Sequence, residues 1–182
     1  ADYPDQPTLC SVGLAALNAL LPLPDLDTPD LNAEEMIARL GAGKRVALVG
    51  HFPFVEHLRP RVGELHILEL NPRPGDLPAE AAPQILGSAE VAAITGMTIL
   101  NHTFEQLLPL VAPGADILVL GPSTPLHRRL FEEGIGVLSG SIVTDVEAVM
   151  RLVSQGANFR QIHRHGVRLV NLVRADLASV LR

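Results

Sequence analysis

The residues of this sequence that could do chemistry lie in short polar segments between apolar runs. The first segment, residues 50–53, contains His51, which could transfer a proton or bind a metal ion. We predict His51 as the acid–base residue, with a local capping role as the alternative. The predicted ligand-binding residues follow in later segments: Glu69, Asn71, Thr95, Gly96, Asn101, Thr103, Pro122, Ser123, Thr124, Ser139 and Gly140.

Glu69 comes at the predicted end of the second strand, where Rossmann-like proteins bind ribose hydroxyls through a carboxylate. A carboxylate can accept two hydrogen bonds from a vicinal diol, and Asn71 beside it could contact an adjacent group. A solvent-exposed carboxylate without a ligand fits this position equally well.

The segment from Thr95 to Thr103 could form one wall of a pocket. Gly96 permits a close approach of the backbone, and Asn101 offers both a donor and an acceptor to a polar ligand. Helix capping by Asn101 or Thr103 is the alternative interpretation.

Residues 121–125 and 139–141 could each bind an anion, since backbone N–H groups and hydroxyls converge there. The residues concerned are Pro122, Ser123 and Thr124 in the first segment, and Ser139 and Gly140 in the second. Ordinary turn chemistry uses the same residue types and would account for each segment alone.

A metal site could form if His51, Glu69 and His102 converged, because three N or O ligands with an open position suit zinc or a similar ion. His163 and His165 favour a surface pair instead. The sequence contains no G-x-G-x-x-G, Walker A, H-E-x-x-H or G-x-S-x-G motif, which disfavours the common nucleotide, zinc-protease and hydrolase sites.

Alternating apolar runs and helical patterns must position these residues. Capping-box spacings at Thr103 and Thr144, and proline after Thr124, indicate helix starts. This alternation predicts an α/β, Rossmann-like three-layer fold with a mostly parallel sheet, in which the segments listed above follow strands. The predicted strands are 45–50, 64–70, 91–95, 116–121, 136–139 and 168–173.

The N-terminal residues 1–43 form a separate helical segment in this interpretation, the remnant or linker of an N-terminal domain. One helix begins near Thr8 or Ser11, a proline- and aspartate-rich turn covers 22–30, and Asn32 caps a second helix. The Rossmann-like domain then covers residues 44–182.

Composition limits the function classes. The net charge is -6 and aromatic residues make up 3%, which argues against nucleic-acid binding. The longest apolar run is too short and too interrupted to span a membrane, and Cys10 is the only cysteine. We therefore expect a cytoplasmic protein without a nucleic-acid or membrane partner.

Four segments together resemble the putative heavy-metal chelation domain family: VGHFP at 49–53, ELNP at 69–72, TGMTILNHT at 95–103 and GPSTP at 121–125. The similarity runs from about Lys44 to the C-terminus. The resemblance implies an enolase-N-terminal-like domain followed by a Rossmann-like domain, with the site between them. It also implies a link to heavy-metal chelation or to the chemistry of a chelator or cofactor.

Three functional hypotheses follow. The first is a small-molecule-binding or enzymatic role, with a divalent metal or a nucleotide-like or pterin-like molecule as ligand. The second is a metal-binding protein without turnover, in which His51 and His102 are ligands. The third is a noncatalytic interaction module, and a homodimer is compatible with all three.

Overall fold

The structure is a computed structural model that describes residues 6–22 and 31–181. The turn predicted over 22–30 lies almost wholly outside the described residues. The helices are α1 (Pro7–Leu20), α2 (Ala33–Gly41), α3 (Val55–Leu58), α4 (Ala82–Ser88), α5 (Met97–Leu100), α6 (Phe104–Leu107), α7 (Val146–Ser154) and α8 (Phe159–Gly166). The strands are β1 (Arg45–Val49), β2 (Glu64–Glu69), β3 (Leu77–Pro78), β4 (Val91–Thr95), β5 (Asp116–Leu120), β6 (Val137–Val143) and β7 (Val167–Val173).

The seven strands of the described residues form one sheet in the order β3-β2-β1-β4-β5-β6-β7. Each neighbouring pair is parallel except β6 and β7, which are antiparallel. Short 3-10 helices at Arg59–Arg61, Ala79–Ala81, Leu108–Leu110 and Arg128–Glu133 complete the connections. The predicted α/β fold with a mostly parallel sheet and a preceding helix is confirmed.

The central strand β1 shows why apolar runs form this sheet. Val46 and Leu48 pack with Ile37 of α2 in one core cluster, and Ala47 packs with Leu86 of α4 in the other. All five side chains are fully buried. Because neighbouring strand residues point to opposite faces, a strand covered on both sides must be apolar at every position. The result is three layers, with helices above and below the sheet.

The strand order reverses at β1, since β2 lies on one side of it and β4 on the other. A crevice therefore opens beyond the carboxyl ends of β1 and β4, where ligands bind in open α/β sheets. Gly50 ends β1 with φ +101°, a conformation that side chains rarely adopt, and a Cβ there would lie 3.2 Å from Thr95 Cγ2. This glycine lets the chain turn into the crevice.

Of the three helix starts predicted from capping patterns, the one at Thr124 is wrong, whereas helices do begin after Thr103 and, one residue later than predicted, after Asp145. Thr124 does not cap a helix, because Leu126 is buried in the core and the next helical turn begins only at Arg128. The hydroxyl of Thr103 makes no capping hydrogen bond, and the cap of α7 is Asp145 rather than Thr144. In each case tertiary packing or a neighbouring side chain outweighs the local spacing.

The second strand from the C-terminus is longer than predicted. β6 extends from Val137 to Val143 because it pairs along its whole length with β7. Ser139 and Gly140 therefore lie inside a strand, not in a loop after it. The cap predicted at Asn32 is confirmed, since Asn32 Oδ1 accepts the N–H of Glu35 at 2.8 Å.

The two N-terminal helices pack differently. In α2, five of the nine residues are buried against the sheet, whereas α1 has no buried residue. Among the described residues, no helix combines the length and apolar character needed to cross a bilayer.

Candidate functional site

A cavity of about 620 Å³ fills the crevice at the reversal of strand order. Residues at the ends of β1, β2 and β4 form its base, and α4, α5 and α6 form its walls. Most of its lining is apolar. Of the predicted site residues, five line it: His51, Glu69, Thr95, Asn101 and Thr103.

His51 is held in place from both its backbone and its ring. Its N–H donates to Glu69 Oε2 at 3.0 Å, and its Nδ1 lies 3.0 Å from both carboxylate oxygens of Asp76. The Asp76 side chain is 1% exposed, whereas that of His51 is 21% exposed. The imidazole therefore has one edge fixed on a buried carboxylate while part of the ring stays accessible.

The Asp76 carboxyl is ionised at neutral pH. Burial raises its pKa, but the N–H of Arg73 and the bond from His51 oppose this effect, and the net pKa lies below its ordinary value of 3.8. An ionised carboxylate can only accept hydrogen bonds, so Nδ1 of His51 carries the proton in this pair. In neutral His51, Nε2 is then the acceptor nitrogen.

A tight turn positions Asp76. The N–H of Asp76 donates to Arg73 O at 2.9 Å, with Pro74 and Gly75 between them and Gly75 at φ +95°. This is the arrangement of a type II turn. The Pro-Gly pair was the one signal in the sequence that could have indicated a fixed aspartate here, and the sequence interpretation missed it.

The Glu69 carboxylate binds backbone groups of its own chain. Oε2 accepts the N–H of His51, and Oε1 accepts those of Leu70 at 2.8 Å and Asn71 at 3.4 Å. These amides at the strand ends are the donors that a bound phosphate would otherwise use. Glu69 thus supplies an internal anion at the position where Rossmann-like proteins commonly bind one.

Asn101 and Thr103 contact each other at the opposite wall. Asn101 Oδ1 accepts from the Thr103 hydroxyl at 2.7 Å and from its N–H at 3.3 Å. The amide Nδ2 of Asn101 makes no hydrogen bond to the described residues. Neither side chain makes a capping hydrogen bond to helix α6, so the capping role predicted as the alternative is not observed.

The residues with a full charge in the cavity lining are all acidic. Glu69 and Glu80 line the cavity, and none of its lining residues is Lys or Arg. Helix α3, which follows the first strand, has only four residues. The cavity therefore lacks the basic side chains and the long helix N-terminus that stabilise a phosphate.

The remaining predicted ligand-binding residues do not line this cavity. Gly96 is the nearest of them in the sequence, since its neighbours Thr95 and Met97 both line it. The Ser139 hydroxyl donates to Asn171 inside the protein, and a Cβ on Gly140 would lie 2.7 Å from Thr124 O. The structure does not place Asn71, Pro122, Ser123, Thr124, Ser139 or Gly140 in the lining. Their ligand-binding roles stay predictions.

A second, small cavity of about 40 Å³ lies between α1 and the end of β6. Asn18 and Thr124 line it, and Asn18 donates to Ser123 O at 2.9 Å. Asn18 Oδ1 and Thr124 Oγ1 are buried without a hydrogen-bond partner among the described residues. The cavity is large enough for a single water molecule.

The metal prediction is not supported by a ligand cluster. Within residues 6–22 and 31–181, no three His, Cys, Asp or Glu side chains form a group that could hold an ion. His102 has φ +58°, and its Nε2 lies 3.5 Å from Cys10 Sγ. His51 and His102 as metal ligands stay a prediction.

Residues 32–171 match the model of the family described as DUF364, "Putative heavy-metal chelation". The chain belongs to this family. No curated protein matches it.

Two solved structures of DUF364 proteins, both of unknown function, resemble this chain. The first, from Desulfitobacterium hafniense, is 35% identical with a TM-score of 0.68 over 79% of this chain, which spans 58% of that relative's length. The second, from Pyrococcus horikoshii, is 19% identical with a TM-score of 0.74 and covers 88% of this chain and 68% of its own. At 19% identity, the similarity to the Pyrococcus horikoshii protein shows only that the two proteins share a fold.

Proposed function

We propose that this DUF364 chain binds a flat, uncharged or cationic small molecule in the 620 Å³ cavity, with His51 as the acid–base group. The observation that carries the proposal is the Glu69 carboxylate, which occupies the N–H groups of His51, Leu70 and Asn71. With these donors used and two carboxylates in the lining, an anionic group has no favourable position. Of the predicted ligands, a pterin-like ring or a nucleoside fits better than a nucleotide phosphate.

The walls support a flat ligand with polar edges. Phe52, Leu68 and Leu107 offer apolar surface, while Thr95 and Asn101 offer hydrogen bonds. Sites of this size and mixed lining are typical for small molecules. Burial of a ring against the apolar walls would provide the affinity, and the polar groups would orient it.

His51 would exchange a proton with the ligand through Nε2. Asp76 holds Nδ1, so it fixes the tautomer in which Nε2 is the acceptor nitrogen. Ligand binding and acid–base chemistry need the same groups. The enzymatic role and a binding role without turnover therefore share this site.

A calorimetric titration with uncharged and anionic forms of the same ring tests the proposal. Adenosine and AMP form one pair, and pterin and 6-carboxypterin the other. At about 0.3 kcal/mol per heavy atom, adenosine, with about 20 heavy atoms, would bind with a dissociation constant on the order of 50 µM, and the smaller pterin ring in the low millimolar range. We expect adenosine or pterin to bind at least about tenfold more tightly than its anionic partner.

The variants His51→Ala and His163→Ala provide the matched control. His51 lines the cavity and His163 lies in α8, outside its lining. The first change should weaken binding of the uncharged probe and the second should not. Tighter binding of the anionic probes would contradict the proposal, and absence of binding by all four would favour the interaction-module hypothesis.

Metal binding without turnover is a second candidate function, because the Asp76 carboxylate contacts Nδ1 of His51. Metal-bound imidazoles commonly have such a partner. Since the described residues supply no cluster of three ligands, a bound chelator would have to complete the coordination. Metal analysis after dialysis against Zn²⁺ should show retention that His51→Ala removes and the His163→Ala, His165→Ala double variant keeps.

The two-domain arrangement, an enolase-N-terminal-like domain before a Rossmann-like domain, stays a proposal. So do the boundary at residue 43 and a cytoplasmic location. The Desulfitobacterium relative is longer than the part matched here, which leaves length for another domain in that protein. Met36, Ile37 and Leu40 of α2 are buried in a core cluster that also contains Val46 and Leu48 of β1.

A further inference from the structure

Helix α7 presents an apolar stripe to solvent on the side of the molecule formed by β6, β7, α7 and α8. Val146, Met150 and Val153, which we call the α7 stripe, are 66%, 64% and 53% exposed. Their spacing of four and three residues places them on one face of the helix. Ala148 of this helix is buried, and Asp145 and Val149 lie against Gly166 of α8, which fixes the helix.

Two exposed charges border the stripe on one side. Glu147 and Arg151 are one helical turn apart, next to Met150, and neither side chain has a hydrogen-bond or ion-pair partner among the described residues. The charges are opposite and lie on either side of the centre of the stripe. This pattern is complementary to a reversed copy of itself.

We propose that the α7 stripe binds the same stripe of a second copy of this chain in a two-fold, antiparallel helix pair. In such an isologous contact, a residue before the centre faces one after it, and the reverse pair also forms. Val146 then contacts the partner copy's Val153, and Met150 lies on the axis. Glu147 faces the second copy's Arg151 twice over, so two ion pairs form on one flank of the helix pair, one on each side of the two-fold axis.

The association is weak because the contact is small. A helix of nine residues is about 13 Å long, so the pair buries less surface than a permanent dimer. We therefore expect a concentration-dependent dimer with a dissociation constant in the micromolar range that weakens at high salt.

Sedimentation equilibrium of charge-swapped variants tests the register. Glu147→Arg and Arg151→Glu each place like charges opposite each other and should each weaken dimerisation at least about tenfold. An equimolar mixture of these two variants restores both ion pairs, so it should form a heterodimer. The double variant Glu147→Arg, Arg151→Glu should dimerise like the unmodified chain.

Met150→Asp should also abolish dimerisation, whereas the matched control Val12→Asp, on the exposed part of α1, should leave it intact. Circular dichroism checks that each variant is folded. A chain that stays monomeric at several hundred micromolar would overturn the proposal. So would a dimer that responds to Val12→Asp, or one that is indifferent to the charge swaps.

Discussion

The contact between His51 and Asp76 is the residue-scale feature on which the candidate site depends. A buried carboxylate holds one ring nitrogen, and a backbone turn holds the carboxylate. His51 could be predicted as a site residue from the sequence, because it comes directly after the first strand. The Pro-Gly pair before Asp76 indicates a local turn, but the sequence does not show that this turn returns the chain to the end of β1, so the contact with His51 was missed.

Asp76→Asn should lower the free energy of unfolding by about 1.5–3 kcal/mol at pH 7, since it removes an ionised acceptor from two hydrogen bonds. The pKa of Asp76 is lowered in the folded state, so its stabilisation is present above the unfolded value of 3.8. It is lost as pH falls through the folded pKa.

Urea unfolding of both proteins from pH 7 to pH 3 checks this dependence. The difference between them should be largest at neutral pH and should shrink below about pH 4. A difference that grows as the pH falls would contradict the ionised state of Asp76.

Glu69→Gln should cost about 1–3 kcal/mol of stability, because an amide can present its oxygen to only one of the two groups of donors. Glu80→Gln is the control, since Glu80 is exposed and makes no hydrogen bond with the described residues. Thermal unfolding should therefore show a lower Tm for the first variant alone. Equal Tm values would indicate that Glu69 does not hold the loop.

Among the secondary-structure elements, the strands could be predicted from their apolar runs, whereas the helix starts depend on tertiary contacts. Strand 91–95 was predicted with its observed bounds, because a doubly covered strand must be apolar throughout. The helix expected after Thr124 is absent, since Leu126 enters the core there. A capping spacing describes only local hydrogen bonds, and burial of a leucine outweighs it.

Gly140→Ala tests how closely β6 passes the preceding connection. A Cβ at Gly140 would lie 2.7 Å from Thr124 O, a backbone atom that cannot move aside cheaply. We expect a loss of about 1–3 kcal/mol. Gly13→Ala, in an exposed turn of α1 with no atom within 4 Å of the added Cβ, should instead be neutral or stabilise by about 0.5–1 kcal/mol.

Differential scanning calorimetry of these two alanine variants gives the comparison. Opposite signs, with the larger effect at Gly140, support the observed packing of β6. A Gly140→Ala variant as stable as the unmodified chain would mean that this strand lies farther from Thr124.

On the scale of the whole molecule, Asn171 joins distant parts of the chain. Its Nδ2 donates to Leu31 O at 2.6 Å, and its Oδ1 accepts the Ser139 hydroxyl at 2.7 Å. Leu177 and Leu181, near the C-terminus, also pack in the core cluster of α2. Such contacts between the two ends of the sequence cannot be inferred from local periodicity.

Asn171→Ala should lower the free energy of unfolding by about 1–3 kcal/mol, because it leaves the Ser139 hydroxyl without its buried partner. The double variant with Ser139→Ala should cost less than the sum of the single changes. Denaturant unfolding of the four proteins measures this coupling. Strictly additive costs would contradict a direct hydrogen bond.

We propose above all that the cavity at the reversal of strand order binds an uncharged ring and disfavours a phosphate. The most direct test is ¹H–¹⁵N NMR of the labelled chain titrated with adenosine and, separately, with AMP. We predict that adenosine shifts the amide signals of Gly50, His51 and Thr95 in a saturable way, while AMP does so only at much higher concentration. Stronger shifts with AMP, or shifts centred on residues 121–124 instead, would contradict the claim.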